Sequence, residues 1–245
     1  MKLFSEIGGY CLMIKGMFSK PENKKMYWNE LMHQCSEIGI GALGIVAIIS
    51  VFMGAVSTIQ TAYQLVSPFI PLSTIAQVVR DTVILEFAPT LTCIVLAGVI
   101  GGKIASELGN MRVSEQIDAL EIMGINSKTF LILPKIIAAL LVIPILVIIA
   151  AVLGILGGRT AGIMVGIISG YTFDHGLMEG FLPYNVFFAL TKAYTFAFII
   201  ASISCFYGYN VKGGSLEIGK ASTKAVVVSC ILILLADYLL AALLL

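Results

Sequence analysis

The sequence predicts an all-α polytopic membrane protein with five transmembrane helices, an N-terminal interfacial helix and a short cytoplasmic helix. Three observations support this fold class: the composition, five long apolar runs, and the distribution of lysine and arginine. Of the 245 residues, 59% are hydrophobic and 12% are charged, and the mean hydropathy is +1.01. A soluble domain of this length carries roughly twice that charged fraction. The net charge of +1 gives no indication of nucleic-acid binding.

The N-terminal segment predicts an interfacial amphipathic helix rather than a cleaved signal peptide. Glu6 and Lys15 interrupt what would be the apolar core of a signal, and no small-residue cleavage site follows. Apolar residues recur there at helical spacing, which is typical of a helix lying in the membrane interface. Residues 20–25 break this helix. We therefore divide the chain into an interfacial segment, residues 1–25, and a transmembrane domain, residues 26–245.

Five apolar runs are each long enough to cross the roughly 30 Å hydrocarbon core of a bilayer as a helix. The predicted spans lie near residues 38–64, 82–103, 131–157, 185–208 and 223–244. The polar stretch between the second and third spans is the most polar segment between two apolar runs.

Lysine and arginine lie mostly on one side of these spans. If the N-terminus is cytoplasmic, twelve of the fifteen basic residues fall in cytoplasmic segments or at their edges. Only Arg80, Arg159 and Lys192 lie elsewhere. The positive-inside rule therefore predicts a cytoplasmic N-terminus, a cytoplasmic polar stretch and a C-terminus on the outer side of the membrane.

The polar stretch at residues 106–125 predicts a short capped helix. Ser114 is placed to act as its N-cap, with Glu115 and Asp118 near the positive end of the helix dipole. Gly124 can adopt the left-handed conformation that ends a helix. The predicted helix has about nine residues, too few to be stable alone in water, so it needs a surface to lie on.

The two faces of this short helix differ in polarity. Val113, Ile117 and Leu120 form an apolar stripe. The polar residues point elsewhere: Arg112, Gln116 and Glu121. Interfacial helices usually carry lysine and arginine on the polar face, and the acidic residues here disfavour binding to anionic lipid. We therefore expect the helix to dock on another protein.

Three charged side chains fall inside the predicted spans, where charge is costly. Glu86 lies ~6 Å below the outer edge of its span, and Lys192 and Asp237 each lie ~10 Å below that edge. Because their helices are sequential and antiparallel, we predict that Lys192 and Asp237 pair. The pair could be structural, or it could serve substrate passage or coupling. Glu86, with Pro89 close by to loosen the helix, could instead line a cavity.

Small residues at period four, Gly162, Gly166 and Gly170, predict a close helix contact in the membrane. The contact could lie within the chain or between subunits. His175, further along the same external segment, fits a solvated loop residue better than a metal ligand.

Catalytic and metal-binding motifs are absent from the sequence. Gly214 to Ala221 approaches the phosphate-binding loop G-x-x-x-x-G-K-[ST], but Ala221 replaces the hydroxyl that would hold Mg²⁺ and no buried strand precedes it. The five cysteines show no metal or disulfide spacing. We expect no catalytic residue, metal or cofactor in this chain, so any ATP chemistry must come from a partner.

These features together resemble the MlaE (YrbE-type) permease family, the membrane subunits of ABC transporters in Mla/Mce lipid-trafficking systems. The resemblance covers residues from about 30 to 245. It rests on residues 107–125 followed by Pro134, on residues 85–89 with residues 98–105, and on residues 207–214 with Gly219.

The resemblance implies a homodimeric permease bearing two ABC ATPase subunits on its cytoplasmic face and an MCE-domain protein on the other face. A small auxiliary cytoplasmic subunit is possible. Such a permease would move phospholipid or a similar membrane lipid between the bacterial inner membrane and the MCE-type carrier. ATP and Mg²⁺ would be bound by the ATPase subunits.

The short cytoplasmic helix matches the coupling helix that seats in the ATPase groove of that family. The resemblance implies ATPase-coupling roles for Glu107, Arg112, Glu115, Gln116, Ile117, Asp118 and Leu120. It leaves Glu86, Lys192 and Asp237 as candidates for the lipid pathway.

Two other classes of function stay open at this point. A proton-coupled secondary transporter would use Glu86, Lys192 and Asp237 as a relay, although the inverted repeats common in such proteins are not evident. A membrane scaffold would explain the packing glycines but not the short helix. The scarcity of charge along the spans favours an apolar substrate. Neither the lipid species nor the direction of transport follows from the sequence.

Overall fold

The computed structural model describes residues 2–17, 24–65 and 71–244, and the regular elements within these ranges are all helical. The helices are α1 (Lys2–Met17), α2 (Lys24–Gln64), α3 (Ser73–Val113), α4 (Gln116–Ile122), α5 (Lys128–Met164), α6 (Gly170–Met178), α7 (Pro183–Tyr209) and α8 (Ser215–Leu244). Five of them, α2, α3, α5, α7 and α8, are long and apolar enough to cross a membrane. The predicted fold class is confirmed.

The membrane-crossing helices are longer than the predicted spans. Helix α3, for example, continues to Val113, beyond the predicted end at residue 103. Ile104, Ala105 and Leu108 are buried in this extension, so packing keeps it helical although its composition is polar. Composition therefore marks where the lipid-compatible stretch ends, not where the helix ends.

Helix α3 contains two π-helical segments, Val83–Leu91 and Ala97–Gly101. Pro89 lies inside the first of them. Proline has no backbone N–H, so the regular α-helical hydrogen bond from this position is missing. Such widened turns are frequent at functional sites, and this one carries Glu86.

Packing divides the chain into two compact units. The first comprises Met1–Gly41, Ile94–Val142 and Phe196–Ala236, and the second comprises Ala42–Cys93, Ile143–Thr195 and Asp237–Leu245. Every boundary falls inside a helix, so each unit is built from parts of several helices. The predicted boundary between residues 25 and 26 stays a prediction.

In the first unit, α1 is held by α7. Met13 and Met17 are buried. The Tyr10 hydroxyl donates to Ser202 Oγ at 2.8 Å, and the Tyr10 ring meets Phe206 edge-on at 5.8 Å between ring centroids. Burial raises the pKa of the Tyr10 phenol. The N-terminal segment is thus a helix anchored by side-chain contacts.

The placement of α1 in the membrane interface stays a prediction. The break predicted at residues 20–25 falls largely outside the described residues.

In the second unit, glycines bring helices α2 and α5 into backbone contact. A Cβ added at Gly54 would collide with the Gly154 carbonyl, and one added at Gly157 would collide with the Val51 carbonyl. A Cβ at Gly158 would lie 2.6 Å from Thr58 Oγ1. At these positions the small residues serve packing within the chain.

The predicted glycine stripe through Gly162, Gly166 and Gly170 does not form one helix face. Helix α5 ends at Met164, and Gly166 has a positive φ of 74°. Ser169 then caps α6 by accepting a hydrogen bond from the Thr172 amide at 3.1 Å. The prediction of a continuous stripe is therefore wrong, because a left-handed glycine ends the helix midway.

Candidate functional site

Lys192 lies at the centre of a cluster of charged groups in the second unit. Its Nζ is 2.7 Å from Asp237 Oδ1 and 2.9 Å from Glu86 Oε1, and it donates to the Leu85 carbonyl at 3.1 Å. The residue is 0% exposed. An ammonium has three donors, and these three acceptors use all of them. The predicted pairing of Lys192 with Asp237 is confirmed.

Glu86 belongs to the same cluster. Its side chain is 46% exposed, so its predicted role in lining a cavity stays a prediction. Its carboxylate lies on Lys192. The reason is the route of α3, which brings Leu85 and Glu86 together to α7.

Thr90 completes the cluster and was not predicted. Its hydroxyl is 3.1 Å from Asp237 Oδ1 and 3.3 Å from Glu86 Oε2, so it can donate to either carboxylate. The spacing of four residues from Glu86 places both on one face of a helix, which is the signal that could have indicated it.

The cluster holds two carboxylates and one ammonium, so with every group ionised it carries one excess negative charge. Phe188 shields the cation on another side, with its ring centroid 4.8 Å from Lys192 Nζ. A buried ammonium is tolerated only when it is paired and hydrogen-bonded, and here it is both. Loss of one carboxylate would leave the ammonium with a single partner of opposite charge and one hydrogen-bond donor without its acceptor.

The start of the short polar helix differs from the prediction. Ser114 does not cap it: the Ser114 hydroxyl donates to the Asn110 carbonyl at 2.8 Å and so belongs to the end of α3. Glu115 follows in the left-handed conformation, with φ 59°, and α4 begins at Gln116. Serine can bond backward to a carbonyl four residues earlier as readily as it can cap, and here the backward bond forms.

The end of α4 follows the prediction. Gly124 has a positive φ of 81°. The Ile125 amide donates to the Leu120 carbonyl and the Gly124 amide to the Glu121 carbonyl, both at 3.0 Å. This pair of hydrogen bonds is the Schellman motif that commonly ends helices.

The apolar stripe of α4 packs on its own chain. Ile117 is fully buried and Leu120 is partly buried. The prediction that Ile117 offers a docking surface to another protein is therefore wrong, because so short a helix needs support and finds it within its own unit. The exposed apolar side chains at this end are Ile122, 87% exposed, and Met123, 66% exposed.

The predicted polar coupling residues divide into two groups. Arg112 pairs with Asp118, and its guanidinium carbon lies 6.0 Å from the centroid of the Tyr209 ring. Glu115 and Gln116 are exposed. These positions are compatible with contacts to a partner, and their coupling role stays a prediction.

The contacts that Glu107 makes lie away from the exposed Glu115 and Gln116. Its Oε2 is 2.7 Å from Nζ of Lys135, a buried residue at the start of α5. An ion pair with a buried lysine joins α3 to α5 and gives Glu107 a structural role of its own. A coupling role for Glu107 stays a prediction.

Two hydrogen bonds hold Glu121, Ser127 and Tyr209 in a triangle that was not predicted. Ser127 Oγ donates to Glu121 Oε1 at 2.7 Å, and the Tyr209 hydroxyl donates to the same oxygen at 2.9 Å. The two hydroxyl oxygens are 2.8 Å apart. These donors lower the pKa of the Glu121 carboxyl. The triangle ties α4 to the last residue of α7.

The segment that resembles a phosphate-binding loop is the start of a helix. Helix α8 begins at Ser215, and Lys220 Nζ lies 2.6 Å from Glu217 Oε1 within it. Residues 215–221 therefore do not form a loop that wraps a phosphate. Among the described residues, no three His, Cys, Asp or Glu side chains group as a metal site.

The segment that is predicted to be external is held by ion pairs of its own. Arg159 Nε and a second guanidinium nitrogen donate to the two Asp174 carboxylate oxygens at 2.7 and 2.8 Å. These bonds lower the pKa of the Asp174 carboxyl. His175 is exposed, as predicted, but it lies in helix α6 and not in a loop. Its Nδ1 lies 3.9 Å from Glu179 Oε2.

Comparison with known proteins places this architecture in a family. The model of the family described as Permease MlaE matches residues 31–243. The chain is 36% identical over 239 residues to a probable ABC transporter permease protein of Rickettsia bellii, covering 98% of this chain and 92% of that protein. It is 32% identical over 209 residues to a probable ABC transporter permease protein of Synechocystis, covering 85% and 79% of the two chains.

A plant protein is also similar. The protein TRIGALACTOSYLDIACYLGLYCEROL 1, chloroplastic, of Arabidopsis thaliana is 32% identical over 223 residues, covering 89% of this chain and 62% of the plant protein.

Proposed function

Because this chain belongs to the MlaE permease family, we propose that it moves phospholipid or a similar lipid between the inner membrane and an extracytoplasmic MCE-type carrier. It is a multi-pass membrane protein and the permease subunit of an ABC transporter. The name of the Arabidopsis relative includes the name of a galactolipid, which supports a lipid as the class of substrate.

The proposed assembly is a homodimer of this chain with ABC ATPase subunits on the cytoplasmic side and the MCE-domain protein on the periplasmic side. A small auxiliary cytoplasmic subunit is possible. The ATPase subunits bind ATP and Mg²⁺ and carry out the hydrolysis. The N-terminus lies in the cytoplasm and the C-terminus in the periplasm, as the bias of lysine and arginine predicts.

The observation that carries the coupling mechanism is the triangle formed by Glu121, Ser127 and Tyr209. Ile122, the last residue of α4, and Met123, which follows it, are exposed. These side chains, with Glu115 and Gln116, form the surface that meets the ATPase. Movement of α4 reaches α7 through the hydrogen bond between Glu121 and Tyr209.

Lys192 lies on the same helix as Tyr209. Motion of α7 therefore acts on the intramembrane charge cluster, which we assign to the lipid pathway. The half-exposed Glu86 carboxylate is the member of the cluster that a passing headgroup can reach.

Two other classes of function are less well supported. A proton-coupled secondary transporter would exploit the excess carboxylate of the cluster, but membership of an ABC permease family argues against it. A membrane scaffold requires neither an exposed α4 surface nor a buried charge cluster.

Purification from native membranes tests the proposal. We expect the wild-type chain to co-purify with an ABC ATPase and an MCE-domain protein, and the assembly to transfer lipid only when ATP is hydrolysed. Met123→Asp should release the ATPase from the chain, because it puts an unpaired charge into the docking surface. Met178→Asp, at another exposed methionine on the predicted opposite side, is the control and should retain it.

Lipid transfer that proceeds without an ATPase would contradict the proposed function. Retention of the ATPase by Met123→Asp, with the permease folded, would contradict the docking surface alone.

A further inference from the structure

A pocket of about 370 Å³ lies between α1, the end of α7 and the start of α8. Three lysines line it: Lys212, Lys220 and Lys224. Two glutamates, Glu6 and Glu217, also line it. With all five groups ionised, the charged side chains of the pocket sum to one positive charge.

Two of the lysines are held in place by neighbouring groups. Lys224 Nζ is 2.8 Å from Glu6 Oε1 and 4.7 Å from the centroid of the Tyr207 ring. Lys220 is fixed by its ion pair with Glu217. Each ammonium has three donors, so these contacts orient the lysines and leave donors for a ligand.

Lys212 supplies the uncompensated charge. It is exposed, and in the described part of the chain no carboxylate is close enough to its Nζ to form an ion pair. The loop that carries it joins α7 to α8 beside the other two lysines. The pocket therefore presents one free cation and two oriented ones.

An apolar groove adjoins the pocket along α8. Leu216, Gly219, Thr223 and Val227 line the groove, and it shares Lys220 and Lys224 with the pocket. These four positions fall on one face of the helix. The two shared lysines thus separate a polar pocket from an exposed apolar surface, as headgroup and acyl chain are separated in a phospholipid.

The aromatic side chains beside the pocket are typical of a membrane interface. The rings of Tyr10, Phe206 and Tyr207 pack edge-on beside the pocket, and aromatic side chains are enriched where helices leave the hydrocarbon. Basic pockets between transmembrane helices on the cytoplasmic side are known to bind anionic headgroups.

We propose that this pocket binds the phosphate of an anionic phospholipid, with an acyl chain along the apolar groove of α8. A phosphodiester carries one negative charge, which balances the single excess positive charge of the pocket. A lipid with no further cation, such as phosphatidylglycerol, leaves the site neutral, whereas phosphatidylethanolamine brings a second cation beside three lysines.

The site shares no residue with the intramembrane charge cluster or with α4. The lipid in this pocket is therefore a membrane lipid that stays bound at the predicted cytoplasmic side, and it is not the transported lipid. The inference stands apart from the proposed transport function and from any ATPase.

Native mass spectrometry of the purified full-length chain tests the site. The chain is titrated in separate arms with phosphatidylglycerol, with phosphatidylethanolamine and with inorganic phosphate. We expect the wild type to retain phosphatidylglycerol over phosphatidylethanolamine, and Lys212→Gln to weaken its retention about five- to tenfold, as for loss of one charge-assisted contact. Lys212→Arg should keep the binding.

Lys15→Gln is the matched control, since Lys15 is also exposed and lies outside the pocket. Equal retention of the two phospholipids, or equal loss in Lys212→Gln and Lys15→Gln, would overturn the proposal. Binding of inorganic phosphate that depends on Lys212, without binding of phosphatidylglycerol, would assign the pocket to free phosphate and overturn the lipid assignment. Because Lys212 makes no ion pair with any described residue, Lys212→Gln should fold normally, and its melting temperature checks this.

Discussion

The Tyr209 hydroxyl donates a hydrogen bond to Glu121 Oε1 at 2.9 Å, which joins the last residue of α7 to the short helix α4. Ser127 donates to the same oxygen, and Arg112 lies over the Tyr209 ring. Two helices distant in sequence therefore share one carboxylate. In the proposed transporter, this carboxylate is where a push on α4 enters the membrane domain.

Loss of this contact should separate ATP hydrolysis from lipid transport. Tyr209→Phe removes the hydroxyl and keeps the ring under Arg112, so we expect the ATPase to stay bound and active while lipid moved per ATP falls several-fold. Tyr63→Phe, at an exposed tyrosine of α2, is the control and should leave both rates unchanged. If Tyr209→Phe transports lipid at the wild-type ratio, the contact does not transmit motion.

The pH dependence of stability should report the ionised form of Glu121. Its pKa is lowered in the folded protein by two hydroxyl donors. The stabilisation is therefore complete above the ordinary glutamate pKa and is lost as pH falls through the lowered value. We expect the difference in melting temperature between wild type and Glu121→Gln to be largest near neutral pH and to shrink below about pH 4. A difference that grows on acidification would contradict this assignment.

Removal of the Lys192 charge should destabilise the fold. Lys192→Met leaves Glu86 and Asp237 facing each other without a cation, and breaking a buried pair in this way costs about 3–5 kcal/mol. The double variant Lys192→Met with Asp237→Asn removes one of the stranded charges and should recover part of that loss. Thermal unfolding in detergent measures both. Additive losses in the double variant would show that the two side chains do not interact.

A charge swap across the same pair should rescue incompletely. Lys192→Asp with Asp237→Lys restores one ion pair, but the new lysine on α8 starts from a different backbone and loses the geometry of the Leu85 carbonyl and Glu86 contacts. We expect the swap to be more stable than either single reversal and less stable than wild type. Full recovery would indicate that Glu86 contributes nothing to holding the cation.

The backbone contact between α2 and α5 makes Gly54 intolerant of a side chain. Gly54→Ala places a methyl group against the Gly154 carbonyl, so the helices must separate, at a cost of about 1–3 kcal/mol or more. Gly44→Ala in the same helix has open space at its Cβ and should be neutral or slightly stabilising. The difference in melting temperature between these variants checks the contact, and equal stabilities would contradict it.

The sequence predicted what depends on composition and on depth in the membrane. Five apolar runs became five long helices because lipid leaves a backbone few alternatives to helical hydrogen bonding. Lys192 and Asp237 were predicted to pair because their positions along antiparallel helices match. Thr90 escaped notice because a threonine in an apolar helix usually bonds its own backbone, and only the path of α8 brings Asp237 to it.

Features decided by competition between similar local interactions could not be predicted. Ser114 can cap a following helix or bond back to Asn110, and these choices differ little in free energy. The stripe that includes Ile117 indicates that one face of α4 is covered, but not whether the cover is this chain or another. The end of α5 likewise depends on the left-handed conformation of Gly166. Glycine at this position also fits a helical stripe of small residues, so the sequence does not distinguish the two.

The widened segments of α3 have a mechanical consequence. A π turn holds one residue more than an α turn, and its migration along a helix displaces the residues it passes by one position, a rotation of about 100° with a rise of about 1.5 Å. Glu86 and Thr90 both lie within the segment Val83–Leu91. A shift of that turn would swing Glu86 off Lys192 and Thr90 off Asp237 while the flanking backbone stayed helical. Helix α3 can therefore rotate and advance by one residue over part of its length, which changes the side chains that contact its neighbours without unfolding the helix.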